Sequence, residues 1–241
     1  MGEKKTLNKG GIVLHIGLIA ALLIAVGLIL LRVYSWDRQG DSPRVLALVN
    51  PWNPVSETGY SVRLTWTEGG CQVDRSCAEA LQVMLGDCRS AGRKPVLAGA
   101  YRSVDDQLVL YDGEVQRLVE TGMMPEEAEN TVARIIARPG RSEHELGLAV
   151  DIVDEDYPVE DETQATTQTT QWLEENAWKY GFIVRYPRDA EEITGYSWHP
   201  WHYRYVGMDA AENIHSLGVT LEEYLSLFYS EEAAVEVSEG N

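Results

Sequence analysis

Apolar and polar residues follow two different patterns along this chain. Residues 12–31 are almost uninterruptedly apolar, and His15 is the only strongly polar side chain among them. A helix of about twenty residues spans about 30 Å, the thickness of the hydrocarbon layer of a membrane. From residue 44 onward, short apolar runs alternate with polar stretches, as they do in globular domains. The pattern therefore predicts one transmembrane helix followed by one folded domain.

The residues around the apolar run predict its orientation. Lys4, Lys5 and Lys9 precede it, which by the positive-inside rule keeps residues 1–11 in the cytoplasm. The alternatives are a buried core helix or a cleaved signal peptide, which normally has a shorter apolar core and a small-residue cleavage site. Residues 32–38 contain no such site, and we interpret 32–43 as a linker. We expect a single-pass protein of the cell membrane with its domain, residues 44–229, outside the cytoplasm.

Within the domain, segments with a helical apolar period are interspersed with short apolar runs. We expect strands over residues 45–49, 95–100, 147–153, 182–186 and 201–206. We expect helices over residues 76–91, 105–121, 125–137, 171–180, 210–217 and 221–228, with Asp74 as the N-cap of the first. Residues 154–170 read as a surface loop and 230–241 as an acidic disordered tail. Regular alternation of strand and helix is missing, so the sequence favours an α+β domain with a small antiparallel sheet flanked by helices.

The charge of the chain limits its partners. The 241 residues carry a net charge of −18, although basic residues outnumber acidic ones by three in the first forty. The domain is therefore strongly acidic. Because nucleic-acid affinity depends largely on Lys and Arg neutralising phosphates, a nucleic-acid partner is excluded. The sequence does not indicate an oligomeric state.

Three cysteines, Cys71, Cys77 and Cys88, lie within eighteen residues. On a helix, Cys77 and Cys88 would share a face about 16 Å apart, too far for a disulfide. Cys71 could pair with either of them in an exported domain, or all three could serve as small apolar side chains.

Two histidines and one aspartate are candidate metal ligands. His144 and Asp151 fall within the segment 142–152, and His202 lies far downstream. Two imidazoles and one carboxylate suit Zn²⁺, which usually takes four ligands, and three protein ligands leave one position for water. Gly147 would let the chain turn tightly between His144 and Asp151.

The sequence around these residues resembles the VanY-type D-alanyl-D-alanine carboxypeptidases, which are grouped with D-Ala-D-Ala dipeptidases and hedgehog-like zinc folds. The resemblance rests on Ser-Glu-His-x-x-Gly-Leu-Ala-Val-Asp-Ile at 142–152 and Pro-Trp-His-Tyr-Arg-Tyr-Val-Gly at 200–207. Weaker similarity extends over roughly residues 45–225. The resemblance implies a zinc peptidase that removes terminal D-Ala from peptidoglycan stem peptides.

Carried over by position, the resemblance makes His144, Asp151 and His202 the zinc ligands and Arg102 the group that stabilises the oxyanion. Ser142 and Gln107 would contact the terminal D-Ala of the substrate. The other interpretations are a surface ion pair for Arg102, local capping for Ser142 and a helix-surface position for Gln107.

One position departs from the family, whose members usually carry a catalytic Glu three residues before the second His ligand. Here that position is His199. His199 could itself transfer the proton, since a neutral imidazole is suited to this role. It could instead be a fourth ligand that closes the site, or an acid such as Glu143, Glu145 or Asp154 could supply the base. We expect a D,D-carboxypeptidase of reduced activity; the alternatives are a non-catalytic zinc-containing module that binds cell-wall peptides, and a peptidoglycan endopeptidase.

Overall fold

The computed structural model describes residues 43–229. The expected transmembrane helix over 12–31, the cytoplasmic segment 1–11, the linker up to residue 42 and the tail 230–241 all lie outside the described residues. Among residues 43–229, no helix has the length and apolar character needed to cross a membrane. These residues belong to one compact unit.

Two antiparallel sheets form the β structure of the described part of the chain. Strands β1 (Leu64–Trp66) and β2 (Gln72–Asp74) make a two-stranded sheet. A four-stranded sheet contains β3 (Pro95–Gly99), β4 (Ala149–Asp154), β5 (Phe182–Tyr186) and β6 (His199–Tyr205) in the order β3–β4–β6–β5. Every neighbouring pair in it is antiparallel, so the predicted α+β class is confirmed. Strands β4 and β6 lie at its centre and are buried along their whole length.

Within residues 43–229, seven α-helices surround the sheets. They are α1 (Arg75–Ser90), α2 (Val104–Glu120), α3 (Pro125–Val132), α4 (Gln168–Asn176), α5 (Glu191–Thr194), α6 (Met208–Leu217) and α7 (Leu221–Tyr229). Short 3₁₀ helices occur at Glu143–Leu146, Glu162–Thr166 and Ala177–Tyr180. Six of the seven α-helices overlap the predicted ones, and the four-residue α5 was not predicted.

Side-chain caps explain where two of the helices begin. The Asp74 carboxylate accepts a hydrogen bond from the Ser76 amide, which confirms the predicted N-cap of α1. Helix α4 begins at Gln168, inside the expected loop 154–170, because the Thr167 hydroxyl accepts from the Thr170 amide. That loop also contains a 3₁₀ helix, so it is shorter and more ordered than predicted.

The predicted strand over 45–49 was wrong. This segment begins as a 3₁₀ helix, Pro43–Leu46, and then continues without regular structure. The carbonyl oxygens of Val45 and Ala47 each accept a hydrogen bond from Arg204 Nη2 at 2.8 Å. Because a buried guanidinium satisfies these carbonyls, the segment packs its apolar side chains without joining a sheet.

The carboxy-terminal helices cover one end of the four-stranded sheet. Ile183 of β5 and Val206, just after β6, pack with Ala211, Ile214 and Leu221 in a buried apolar cluster. Burial of a large aliphatic side chain contributes about 1.5–3 kcal/mol. This packing fixes the position of β6, which carries His202.

The three cysteines are all free thiols. Cys77 and Cys88 are buried on helix α1, and Cys71 is half-buried. Cys71 therefore forms no disulfide with Cys77 or Cys88. Cys77 and Cys88 serve as small core side chains.

Candidate metal centre

Strand pairing brings the predicted metal ligands together. Asp151 on β4 lies directly opposite His202 on β6, and the register of β3 places Gly99 against Asp151 on its other side. His144 lies on the 3₁₀ helix that precedes β4. Residues separated by 58 positions along the chain thus meet at the centre of the sheet.

His144, Asp151 and His202, hereafter the metal triad, have the spacing of a metal site. His144 Nε2 lies 3.1 Å from Asp151 Oδ2, and His202 Nδ1 lies 2.8 Å from Asp151 Oδ1. One ligand atom from each residue falls within 4.8 Å of the other two. All three side chains are buried. The set is therefore already converged, as expected for a preorganised metal centre.

Gly147 makes the turn between His144 and Asp151 possible. Its φ of 68° lies in the left-handed region, which non-glycine residues adopt at a cost. A Cβ at this position would also lie 2.8 Å from the Asp74 backbone nitrogen, which donates to the Gly147 carbonyl. Glycine is thus required both for the turn and for the close contact with the start of helix α1.

The second ring nitrogen of His144 has a fixed partner. His144 Nδ1 lies 2.7 Å from the carbonyl oxygen of Ala100, which can only accept, so Nδ1 carries the proton. Nε2 is left with a free lone pair that faces Asp151. Burial, and next the nearby charge of Arg102, lower the pKa of His144 to about 4. The ring is therefore neutral, as a metal ligand must be.

His202 is held from two sides. Its ring stacks on Tyr186, with centroids 4.8 Å apart, and Nε2 lies 3.5 Å from Glu143 Oε2. Burial acts to lower the pKa of His202, but the hydrogen bond to Asp151 and the negative charges of Asp151 and Glu143 outweigh it and raise the pKa above its usual value. Both carboxylates thus act on the same imidazole from opposite nitrogens.

Arg102 follows strand β3 and stands beside the metal triad. Its Nη2 lies 3.6 Å from Asp151 Oδ2, and about a quarter of the side chain is exposed. The distance exceeds that of a hydrogen bond, so the guanidinium can still bind another anion. This geometry differs from that of an isolated surface ion pair, the other interpretation of Arg102.

The two expected substrate-binding side chains also have partners within the protein. The Ser142 hydroxyl caps the 3₁₀ helix by accepting from the His144 amide at 3.3 Å. Gln107 Nε2 donates to the Ala137 carbonyl at 2.7 Å, and within residues 43–229 its Oε1 has no hydrogen-bond partner. Both residues are buried, so Gln107 does not lie on an open helix surface. Their contact with a substrate stays a prediction.

His199 is packed between aromatic rings at the start of β6. It stacks on Trp201 with centroids 4.6 Å apart and meets Tyr186 edge-on. His199 Nε2 lies 3.4 Å from the Ser197 hydroxyl. Burial, and next the charge of His202, lower the pKa of His199 to about 3. The ring is neutral. Among the described residues, the cluster of possible metal ligands contains the metal triad but not His199.

Each of the three acids considered as alternative bases has at least one carboxylate oxygen hydrogen-bonded within the protein. Glu143 Oε1 accepts from Arg185 and Arg204, and Glu145 Oε1 accepts from the Gly140 amide. Asp154 Oδ2 accepts from the Thr169 hydroxyl.

A different acid, Glu160, lies close enough to the metal triad for its charge to interact with that of Asp151, and no motif in the sequence singled it out. Buried Gln164 donates to the carbonyls of Tyr157 and Val159, at 2.6 and 2.7 Å, and so fixes the loop that carries Glu160. The side chain reaches solvent, yet partial desolvation, and next the charge of Asp151, raise its pKa to about 7. The only sequence signal for this residue is its place in an acidic loop.

The comparison with known proteins decides the family. The model of the VanY family, described as D-alanyl-D-alanine carboxypeptidase, matches residues 70–208, which contain the metal triad, Arg102 and His199. The chain belongs to the VanY family. The resemblance seen in the two sequence motifs is therefore confirmed.

Individual relatives agree with this assignment. The D-alanyl-D-alanine carboxypeptidase of Enterococcus faecalis (strain ATCC 700802 / V583) is 40% identical over 190 residues, covering 78% of this chain and 68% of the relative. Two solved structures are each 39% identical to this chain. VanYB in complex with D-alanine-D-alanine has a TM-score of 0.69 and covers 76% of this chain and 97% of that one. A mutant of the vancomycin-resistance D,D-pentapeptidase VanY in complex with Zn(II) has a TM-score of 0.68, with coverage of 75% and 98%.

Proposed function

We propose that this protein is a zinc-dependent D-alanyl-D-alanine carboxypeptidase that acts on peptidoglycan stem peptides. The observation that carries the proposal is the buried, converged metal triad in a chain of the VanY family. Similar proteins of solved structure bind Zn(II) and D-alanine-D-alanine. Arg102 is a partly exposed cation beside the metal triad, and a substrate with a terminal carboxylate and a scissile carbonyl suits it.

The metal triad fits zinc. His144 Nε2, His202 Nδ1 and a carboxylate oxygen of Asp151 form a set of two nitrogens and one oxygen, which is the composition of many catalytic zinc sites. A calcium or magnesium site would instead need mostly oxygen ligands. Bound zinc supplies Lewis-acid chemistry, activating water near neutral pH and polarising a carbonyl oxygen.

Arg102 has the position to stabilise negative charge on the reacting carbonyl. Its guanidinium borders the metal triad without a short ion pair, and its charge is close enough to depress the pKa of His144. A cation that is already in place stabilises the developing oxyanion without reorganisation. We propose that Ser142 and Gln107 bind the terminal D-Ala of the substrate. The unpartnered Oε1 of Gln107 would accept a hydrogen bond from a donor group of this D-Ala.

His199 occupies the family position of the proton-transfer group, and we propose that it accepts the proton of the attacking water. Its neutral ring can accept a hydrogen bond, but a pKa of about 3 makes it a weak base at neutral pH. We therefore expect turnover below that of relatives with a glutamate at this position.

Incubation of the full-length protein, purified in detergent, with Zn²⁺ and a pentapeptide ending in D-Ala-D-Ala tests the activity. We expect release of free D-Ala that a chelator abolishes and that the His144→Ala variant lacks. Release that is no faster in the parent than in this variant would refute the enzymatic proposal.

The histidine at position 199, where the family usually has glutamate, favours one alternative function. This alternative is a non-catalytic zinc-containing module that binds cell-wall peptides. The His199→Glu variant separates the two functions. If the parent is inactive and the variant hydrolyses the pentapeptide, the parent is a binding module; an active parent excludes that alternative. Assays on crosslinked peptides test the other alternative, a peptidoglycan endopeptidase, since this activity would cleave crosslinks without requiring a free D-Ala terminus.

We further propose that residues 12–31 anchor the protein in the cell membrane with residues 44–229 outside the cytoplasm. The apolar run and the preceding lysines support this location, which would place the enzyme beside its polymeric substrate. Protease added to intact cells should digest the domain, and protection of the domain in intact cells would contradict this topology.

A further inference from the structure

Two buried atoms that lack hydrogen bonds face each other behind the metal triad. His202 Nε2 and Glu143 Oε2 lie 3.5 Å apart, and neither has a hydrogen-bond partner among residues 43–229. Glu143 is almost completely buried and His202 is 5% exposed. A buried polar atom without a partner is costly, so two complementary ones at this distance indicate a donor–acceptor pair.

The other oxygen of Glu143 determines the direction in which its carboxylate points. Glu143 Oε1 accepts hydrogen bonds from Arg185 Nε and Arg204 Nη1, both at 2.7 Å. With Oε1 occupied twice, Oε2 is left as an acceptor aimed at the imidazole.

This acceptor determines which nitrogen of His202 is free for the metal. A proton on Nε2 would be donated to Glu143, and the lone pair of Nδ1 would then point to the side of Asp151. We propose that Glu143 is a positioning residue that holds His202 in its Nε2-protonated form and so presents Nδ1 to the metal. The inference rests on the zinc centre of the proposed function.

The two histidines of the metal triad then bind through opposite nitrogens. His144 donates from Nδ1 to the carbonyl of Ala100 and offers Nε2, whereas His202 donates from Nε2 and offers Nδ1. Acceptors behind metal-bound histidines orient the ring and increase its basicity, and their loss typically weakens metal binding by about 10–100-fold. A carboxylate acceptor does this more strongly than a carbonyl because it is charged.

Charged side chains hold Glu143 in place from both ends of the domain. Arg185 also binds both carboxylate oxygens of Glu222 on helix α7, at 2.7 and 2.9 Å. Arg204 also binds the carbonyls of Val45 and Ala47 at the start of the domain. Both arginines are completely buried. The carboxylate is thereby fixed by β5, β6, α7 and the segment before β1, and it cannot rotate away from His202.

The Glu143→Gln variant tests the proposal because glutamine keeps the shape and reverses one polarity. The two arginines only donate, so they will retain the amide oxygen and turn the amide nitrogen toward His202 Nε2. That donor favours the Nδ1-protonated form, whose lone pair no longer faces the metal. In the full-length protein we expect the Kd for Zn²⁺, measured by competition with a chelator, to rise by about 10–100-fold.

Glu222→Gln is the matched control. It removes a carboxylate from the same arginine, Arg185, without touching His202. We expect it to lower the thermal midpoint while leaving the Kd for Zn²⁺ within about threefold of the parent. An unchanged Kd in Glu143→Gln, or an equal loss of zinc affinity in Glu222→Gln, would overturn the proposal, since the latter would show that the affinity follows fold stability alone.

A measurement on the unmutated protein covers the case in which Glu143→Gln does not fold. In the zinc-loaded full-length protein, histidine ¹⁵N NMR should show a protonated Nε2 and a metal-bound Nδ1 for His202, and the reverse assignment would refute the inference. Neither readout requires peptide hydrolysis. A protein that binds zinc in this way but releases no D-Ala would contradict the proposed function and leave the role of Glu143 intact.

Discussion

Asp151 and His202 are directly paired across β4 and β6, with Asp151 Oδ1 2.8 Å from His202 Nδ1. Opposite residues on neighbouring antiparallel strands bring their side chains to the same face of the sheet. The register of the sheet therefore places two of the three metal ligands, and a shift by one residue would turn Asp151 to the other face. The structural integrity of the four-stranded sheet and the ability to bind metal are thus linked.

The first prediction concerns Gly99, which lies against Asp151 on the other side of β4. A Cβ at Gly99 would overlap the Asp151 carboxylate, so Gly99→Ala must displace a metal ligand. We expect at least a tenfold rise in the Kd for Zn²⁺, measured by chelator competition. Gly113→Ala on helix α2 is the control, because a Cβ there meets open space and alanine favours the helix. Equal zinc affinity in both variants would contradict the close contact.

The second prediction concerns Arg102. If its guanidinium stabilises the oxyanion, Arg102→Ala should lower kcat by about 10²–10³-fold, the loss typical of a removed oxyanion donor. Steady-state kinetics with the pentapeptide measures this, and the Kd for Zn²⁺ of the same variant is the control. A change confined to KM would show that Arg102 contributes only to ground-state binding.

The third prediction separates His199 from Glu160 as the proton acceptor. General acid–base groups contribute about 10²–10⁴-fold to the rate. We expect His199→Gln to lower kcat/KM by that amount and Glu160→Gln to lower it by less than tenfold. Glu162→Gln, a change in the same loop, serves as the control for altered loop charge. The reverse order of effects would assign proton transfer to Glu160.

The fourth prediction is a pH dependence of the metal-free protein that comes from His199. The folded pKa of about 3 lies below the unfolded value of about 6.5, so between these values the unfolded chain binds a proton that the folded chain does not. The free energy of unfolding should therefore fall as the pH is lowered from 6.5, by up to about 1.4 kcal/mol per pH unit for this one group.

Urea denaturation of the chelator-treated protein between pH 6.5 and 4 measures this slope. The His199→Gln variant should have a shallower slope, since it lacks the group, while His144 and His202 are present in both proteins. Equal slopes in the parent and the variant would mean that His199 is protonated in the folded state.

Local patterns in the sequence predicted most of the helices and four of the six strands. Helix α1 was recognised from its apolar stripe and from Asp74, because caps and periodicity act within a few residues. Strands β1 and β2 were missed because they have three residues each and little apolar pattern. The segment 45–49 was assigned as a strand because nothing nearby reveals that Arg204 satisfies its carbonyls.

Residue types at fixed short spacings around His144 and His202 were enough to predict the family and the metal triad. The fold, in contrast, places the Ala100 carbonyl against His144 Nδ1, which leaves Nε2 free, and places Glu143 behind His202 Nε2. It also placed Glu160 near the metal triad by fixing a loop with Gln164. Hydrogen-bond direction and electrostatic environment depend on groups that are distant along the chain, and their positions follow from sheet register and packing.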